Sequence, residues 1–101
     1  MTSGFVGIAC LDLRLPRSAT LKDRRSALAH VRRGLEQQHG AAVAEVGGLD
    51  DASLGELTAA VVAQSQAACE QRLAAIEAWA EDHEGDVALR LARIVTPEDL
   101  A

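Results

Sequence analysis

Apolar and polar side chains alternate from Phe5 to Leu15, at the start of the chain. Phe5, Gly7, Ala9, Leu11, Leu13 and Leu15 fall on one side, and Val6, Ile8, Cys10, Asp12 and Arg14 fall on the other. A repeat of two residues predicts a β-strand with two different faces. Pro16 should end this strand because proline cannot donate a hydrogen bond to a sheet.

A helical repeat follows the first strand. Thr20 is placed to cap a helix by accepting a bond from the backbone N–H of Asp23, and the Asp23 side chain can reach back to Thr20. The spacing of the next apolar residues fits one helix face, formed by Leu21, Leu28, Val31 and Leu35. The helix should end at residues 38–40, since Gly40 tolerates a positive φ.

The remaining chain predicts two strands, a helix and a last strand. The segments are a short strand at 41–46, an acidic loop at 47–51, a strand within 54–63, a helix over 65–81, an acidic turn at 82–86 and a strand over 87–95. Cys69, Leu73, Ile76 and Ala80 share one face of the second helix. In the last strand, alternation places Val87, Leu89 and Leu91 opposite Ala88, Arg90 and Ala92.

This order, β-α-β-β-α-β, is typical of the ferredoxin-like fold. Right-handed crossovers would place both helices on one face of a four-stranded antiparallel sheet. With 101 residues, the chain suits one α+β domain spanning residues 1–101.

The charges are unevenly distributed. Net charge is −5, yet residues 1–33 hold seven basic and two acidic side chains. Aromatic residues are nearly absent, with only Phe5 and Trp79. Cys10 and Cys69 form no CxxC pair, no signal peptide is visible and no apolar run is long enough for a membrane span. We therefore expect two free, buried thiols, a cytoplasmic protein and no membrane contact.

Four segments together resemble the YlxP-like family of small bacterial proteins. They are Phe5-Val6-Gly7, Leu11-Asp12-Leu13-Arg14-Leu15-Pro16, Thr20-Leu21-Lys22-Asp23-Arg24-Arg25 and Val43-Ala44-Glu45-Val46-Gly47. The chain has Thr20, Arg24 and His39-Gly40 where the family typically has Ser, Lys and Phe-Asn. The resemblance implies a ferredoxin-like fold without an established activity. Some members are encoded near translation and ribosome-maturation genes, which implies a link to RNA or ribosomes.

A basic stripe on the first helix is the first candidate site. It consists of Lys22, Arg25, Arg32 and Arg33, with Arg17 in the preceding loop. Clustered cations on one face can neutralise phosphates, so these residues are candidates for RNA binding. Base stacking on the sheet is not expected because Phe5 shares its face with the leucines. The alternative is a solvated helix face balanced by acids elsewhere.

The second candidate site is the sheet face turned away from the helices. Val6, Ile8 and Cys10 point there, and Thr58, Ala60, Val62, Ala88 and Ala92 are expected to join them. A contiguous apolar patch seldom faces water, so we predict an oligomer interface and a homodimer or higher oligomer. The alternative is a mildly apolar exposed sheet.

The sequence contains no recognisable catalytic motif. His30, His39 and His83 lack metal-ligand spacing, and Gly47-Gly48 is not followed by the lysine of a phosphate-binding loop. Asp12, Glu45, Asp50 and Asp51 could gather and bind a cation, but surface carboxylates are the simpler interpretation. We expect no catalytic residues, no metal and no cofactor.

The hypothesis at this point is a non-enzymatic module that binds RNA or a ribosomal component through its basic first helix, with no DNA partner expected. One alternative is a protein-interaction or structural module that docks through the open apolar sheet face. Another, by fold analogy, is a regulatory domain that binds a small molecule.

Overall fold

The computed structural model describes residues 2–47, 51–83 and 86–100 and contains the predicted elements in the predicted order. The strands are β1 (Phe5–Arg14), β2 (Ala42–Val46), β3 (Leu54–Ala63) and β4 (Val87–Val95), and the helices are α1 (Leu21–His39) and α2 (Gln66–Glu81). A short 3-10 helix, Pro97–Leu100, follows β4 and was not predicted.

The strands form one antiparallel sheet in the order β2-β3-β1-β4. This arrangement confirms the ferredoxin-like fold. The leucine side of β1 faces the helices, where Leu11 is fully buried together with Leu57 of β3. Leu35 of α1 and Ile76 of α2 complete the centre of the core. Since the core lies on this side only, the other face of the sheet has no covering layer from the described residues.

Both ends of α1 are fixed by local hydrogen bonds. The Thr20 hydroxyl accepts from the Asp23 N–H at 3.1 Å, and the Asp23 carboxylate accepts from the Thr20 N–H at 2.9 Å. The predicted capping box is therefore confirmed. At the other end Gly40 adopts φ 61°, and its N–H donates to the carbonyl of Glu36. The left-handed conformation ends the helix and turns the chain into β2.

A β-bulge changes the alternation of β4. Leu89 pairs with Leu11, but the next paired residue, Leu91, lies opposite Cys10, so Arg90 is an extra residue in the strand. Leu91 therefore lies on the open face, and Ala92 pairs with Ala9 on the helix side. The sequence placed Leu91 on the helix side and Ala92 on the open face, and both predictions were wrong. One inserted residue moves every later side chain of the strand to the opposite face.

Arg72 connects three elements on the helix side. Its guanidinium donates to the carbonyl oxygen of Val62 in β3 at 2.8 Å and to that of His39 at the end of α1 at 2.6 Å. Since the donor belongs to α2, one side chain joins both helices to the sheet. The last carbonyl groups of a helix need such partners, and a charged donor binds them more strongly than a neutral one.

Candidate functional site

The predicted basic residues lie on the outer surface of α1 and in the turn before it. Lys22, Arg25 and Arg33 are exposed on α1, and Arg17 is exposed in the turn. Among the described residues, no carboxylate lies within ion-pair distance of these four side chains. They are therefore available to a negatively charged partner.

Arg32 differs from the other members of the stripe. Its guanidinium lies 3.8 Å from a carboxylate oxygen of Glu45 in β2 and 4.0 Å from one of Glu36 in α1. These two carboxylates offset its charge at the edge of the stripe. The sequence did not show this because Glu45 approaches α1 only when β2 packs beside the helix. The basic surface is consequently narrower than the helical wheel indicated.

The turn after β2 brings one acid close to the basic end of α1. Arg24 donates a hydrogen bond to the backbone carbonyl of Asp51 at 2.9 Å. Hydrogen bonds from Ser53 lower the pKa of the Asp51 carboxyl group, and the nearby charges of Arg24 and Arg17 lower it further. Asp51 is thus a fixed anion that reduces the positive potential near Arg17.

The open face of the sheet is apolar over most of its area. The strand register gives the rows of this face: Val62, Val6 and Val95; Ala42, Ala60, Ile8 and Arg93; Ala44, Thr58, Cys10 and Leu91; Val46, Glu56, Asp12 and Ala88; and Leu54 and Arg14. Four of the five exposed large apolar residues of the described chain, Val46, Leu54, Val62 and Leu91, lie on this face. The prediction that Val6, Ile8 and Cys10 share an apolar surface is confirmed, and their role in an oligomer stays a prediction.

One end of the open face carries paired charges. Arg90 donates to a carboxylate oxygen of Asp12 at 3.1 Å, and Glu56 lies opposite Asp12 in the neighbouring strand. The Asp12 carboxylate raises the pKa of the Arg90 guanidinium through this hydrogen bond and its charge. The bulge at Arg90 therefore serves to position a cation beside two acids.

The described members of the candidate cation site, Asp12, Glu45 and Asp51, do not come together. Asp12 lies on the open face, whereas Glu45 pairs with Leu57 on the helix side of the sheet and Asp51 is held by Ser53. Asp50 lies outside the described residues. Within residues 2–47, 51–83 and 86–100, no three His, Cys, Asp or Glu side chains come close enough to share a metal ion.

A cleft with two chambers lies beside α1, where the end of β1, the start of β4 and the end of α2 meet. The first chamber has about 270 Å³ and is mostly apolar, with walls from Leu13, Leu15, Ala27, Val31 and Val87 and with Arg14 and Asp86 among its polar residues. The second has about 190 Å³ and is lined by Arg33, Gln37, Gln38 and Trp79. His30 and His83 line both chambers.

Trp79 forms one wall of the second chamber and is held between two imidazoles. Its ring centre lies 5.5 Å from that of His39 and 4.5 Å from that of His83, both in edge-on geometry. Nδ1 of His83 lies 2.9 Å from the Trp79 carbonyl oxygen, which fixes the His83 ring. Sequence reasoning missed this cleft because its residues come from four elements that are distant along the chain.

Two groups near the helix interface have shifted pKa values. Burial lowers the pKa of His39 below its usual 6.5, and the Arg72 charge lowers it further. Burial also raises the pKa of the Cys69 thiol, which is fully enclosed in the core. Cys10 on the open face is half-buried, and both cysteines are free. Both thiols are free, as predicted, but the predicted burial is confirmed only for Cys69.

Fold and surfaces define a small ferredoxin-like α+β protein with one uncovered sheet face. Residues 6–93 match the model of the family described as "Protein of unknown function (DUF503)", and the chain belongs to this family. No curated protein matches the chain at a significant level. In the described part of the chain, neither helix is long and apolar enough to cross a membrane.

Among solved structures, the chain is similar to a Chloroflexus aurantiacus J-10-fl protein described as a candidate antibiotic biosynthesis monooxygenase. The TM-score is 0.48, sequence identity is 16%, and the match covers 92% of each chain. At this level the likeness says nothing about activity.

Proposed function

We propose that the protein is a non-enzymatic assembly module that pairs with a second copy of itself through the open face of its sheet. The observation that carries this proposal is the concentration of Val46, Leu54, Val62 and Leu91 on that one face. Large exposed apolar patches rimmed by charged residues are typical of protein interfaces. The many Ala, Val and Thr side chains of the face are small and would let another sheet pack closely.

The size of the face suits a dimer of modest stability. Strands of 10, 5, 10 and 9 residues, at about 3.3 Å per residue and about 4.8 Å apart, give a surface of roughly 540 Å² on each copy. Two such faces would bury about 1,100 Å² in all, just below the standard size of protein interfaces and above the roughly 1,000 Å² expected of a biological one. Stacking of two sheets about 10 Å apart is an ordinary packing mode. The rim holds both signs of charge, Arg93 and Arg14 as well as Glu56, so opposite charges of two copies can be placed against each other.

The test is a matched pair of substitutions at exposed apolar positions. Val62, on the open face, is 68% exposed, and Leu21, on α1, is 52% exposed. Sedimentation velocity at micromolar concentration should give a mass above 10.6 kDa for the wild type and for Leu21→Lys. Val62→Lys should be a monomer, because burying an unpaired ammonium in the interface is costly. A monomeric wild type, or equal dissociation of both variants, would contradict the proposal.

A second candidate function is binding of RNA or a ribosomal component by the cations of α1. Lys22, Arg25 and Arg33 support it because they are exposed and without ion pairs among the described residues. Contact would be electrostatic, since Phe5, the aromatic residue of β1, lies on the helix side of the sheet. Arg32 would contribute less, because Glu36 and Glu45 already offset its charge.

Salt dependence tests this second function. Each phosphate contact to single-stranded RNA adds about 0.7 to the slope of log affinity against log salt. Lys22→Ala with Arg25→Ala should therefore lower the slope by about 1.4. The control, Arg14→Ala with Arg93→Ala, removes the same charge from the open face and should leave the slope unchanged. No binding to ribosomal RNA at low salt, or equal slopes for both double variants, would contradict RNA binding.

We also propose that the chain is a YlxP-like member of its family and acts in the cytoplasm. Except for Phe5, every residue of the four segments that carry this resemblance lies within the matched range 6–93. Free thiols at Cys10 and Cys69 are compatible with a reducing compartment. Fractionation of the native host, with detection of the protein in cytoplasm, membrane and ribosome fractions, would test the location.

A further inference from the structure

We propose that the two-chamber cleft beside α1 binds a small amphiphilic anion, an aromatic or aliphatic body that carries one carboxylate or phosphate. The body would occupy the first chamber, and the anionic group would lie in the second. This inference rests on neither the dimer nor RNA binding, because most residues that line the cleft lie on the helix side; the cleft shares Arg14 with the rim of the open face and Arg33 with the basic residues of α1.

The first chamber has the size and surface of a site for an apolar group. Its volume of about 270 Å³ is bordered by side chains such as Leu13, Leu15, Val31 and Val87 and opens to solvent. With the second chamber, of about 190 Å³, it reaches the range of roughly 300–1,000 Å³ that is typical of small-ligand sites. Such sites combine apolar walls with a few converging polar groups, and that combination is present here.

The second chamber favours a negative charge. Arg33 brings a guanidinium that makes no ion pair with the described residues, and the Gln37 and Gln38 amides, with the His30 ring, can donate hydrogen bonds. None of the described residues that line this chamber carries a carboxylate. The first chamber is lined by one charge of each sign, Arg14 and Asp86, and offers an anionic group no net attraction. The described residues of the second chamber include Arg33 and no acid, so the anionic group of the ligand should lie there.

Trp79 makes the cleft observable. It is the only tryptophan of the chain and lines the second chamber, so its indole N–H signal reports binding directly. Two probes distinguish the anionic group: 2-naphthoate carries a carboxylate, and adenosine monophosphate carries a phosphate. Their uncharged counterparts are 2-naphthylmethanol and adenosine.

The experiment is NMR titration of the isotope-labelled full chain with these four compounds. At least one anion should shift the Trp79 indole signal in a saturable manner, and its uncharged counterpart should bind about tenfold more weakly or worse, since hydrogen bonds to charged groups are the stronger ones. Arg33→Gln should weaken anion binding by a similar factor. Arg25→Gln, which removes the same charge from the same helix outside the cleft, should have no effect.

Ala27→Leu tests the first chamber separately, because the larger side chain fills it while Arg33 stays in place. This variant should lose binding of each anion that binds the wild type and keep the helical spectrum of the wild type. The proposal is overturned if neither anion shifts the Trp79 signal at millimolar concentration. It is also overturned if the uncharged counterparts bind equally well, or if Arg33→Gln and Arg25→Gln have the same effect.

Discussion

Gly34 of α1 lies directly against the indole ring of Trp79 in α2, and a β-carbon at position 34 would overlap Cζ2 of that ring. The absence of a side chain at Gly34 therefore lets the two helices approach and forms one wall of the cleft. Glycine in a helix interior is otherwise unfavourable by roughly 0.5–1 kcal/mol relative to alanine. Packing against Trp79 is the physical reason for its presence.

We expect Gly34→Ala to destabilise the protein by about 1 kcal/mol, because overpacking of this kind costs roughly 1–3 kcal/mol and exceeds the gain in helix propensity. The free energy of unfolding from urea titration measures the effect. In a Trp79→Leu background the same substitution should stabilise the protein, since the overlap is gone and the propensity gain remains. An equal effect of Gly34→Ala in both backgrounds would show that the ring does not set the cost.

The capping box at the start of α1 gives a second prediction. Thr20→Ala removes the hydroxyl that accepts from the Asp23 N–H and should cost about 1 kcal/mol of stability. Thr20→Ser keeps the acceptor and should cost much less. Urea midpoints at unchanged m-value would measure both variants. If Thr20→Ser is as unstable as Thr20→Ala, the stabilising element is the methyl group rather than the cap.

His39 gives a prediction for pH dependence. Because its pKa is lowered in the folded state, the unfolded chain binds a proton at higher pH than the folded chain. The stability contributed by neutral His39 is therefore present above about pH 6.5 and is lost as the pH falls toward the folded-state pKa. When the pH is lowered from 7.5 to 5.5, the urea midpoint should fall more for the wild type than for His39→Gln.

His30→Gln is the control for this measurement, since His30 is an exposed histidine of the same helix. It should keep the pH dependence of the wild type. A reversed result, with the pH dependence lost in His30→Gln and kept in His39→Gln, would contradict the assignment to the buried imidazole.

The two thiols should react at very different rates. Cys69 is fully buried and its pKa is raised by burial, so a thiol reagent at pH 8 should label it slowly until urea is added. Cys10 is half-buried on the open face and should react first. Cys10→Ser and Cys69→Ser isolate the two rates. If two copies stack through the open face, labelling of Cys10 should also slow as protein concentration rises, whereas labelling of Cys69 should not.

The sequence predicted the elements of this fold well because their signals are local. Alternation in β1, the cap at Thr20 and the turn at Gly40 each depend on neighbouring residues, and all three are confirmed. The bulge at Arg90 was missed because nothing within β4 shows that one residue has no partner. The register of β4 is decided by its pairing with β1, and the extra residue in β4 moved the Leu91 side chain to the open face.

The candidate sites also differ in whether their residues lie close together or far apart along the chain. The apolar patch around Ile8 could be predicted because a strand alternates, whereas the ion pair between Arg32 and Glu45 joins residues of different elements. The cleft depends on still more distant residues, since Arg33, Trp79 and His83 come together only when α1 and α2 pack. A helical wheel of α1 cannot show what the second helix places beside it.

The strand order β2-β3-β1-β4 has a consequence for how the chain acquires its structure during synthesis. β1 and β2, from the first half, are separated by β3, and β3 and β4, from the second half, are separated by β1. Every pairing of strands therefore joins one half to the other, and neither half can build a sheet alone. A nascent chain that has emerged from the ribosome only as far as Val46 should remain open to proteases, and protection should appear after β3 has emerged.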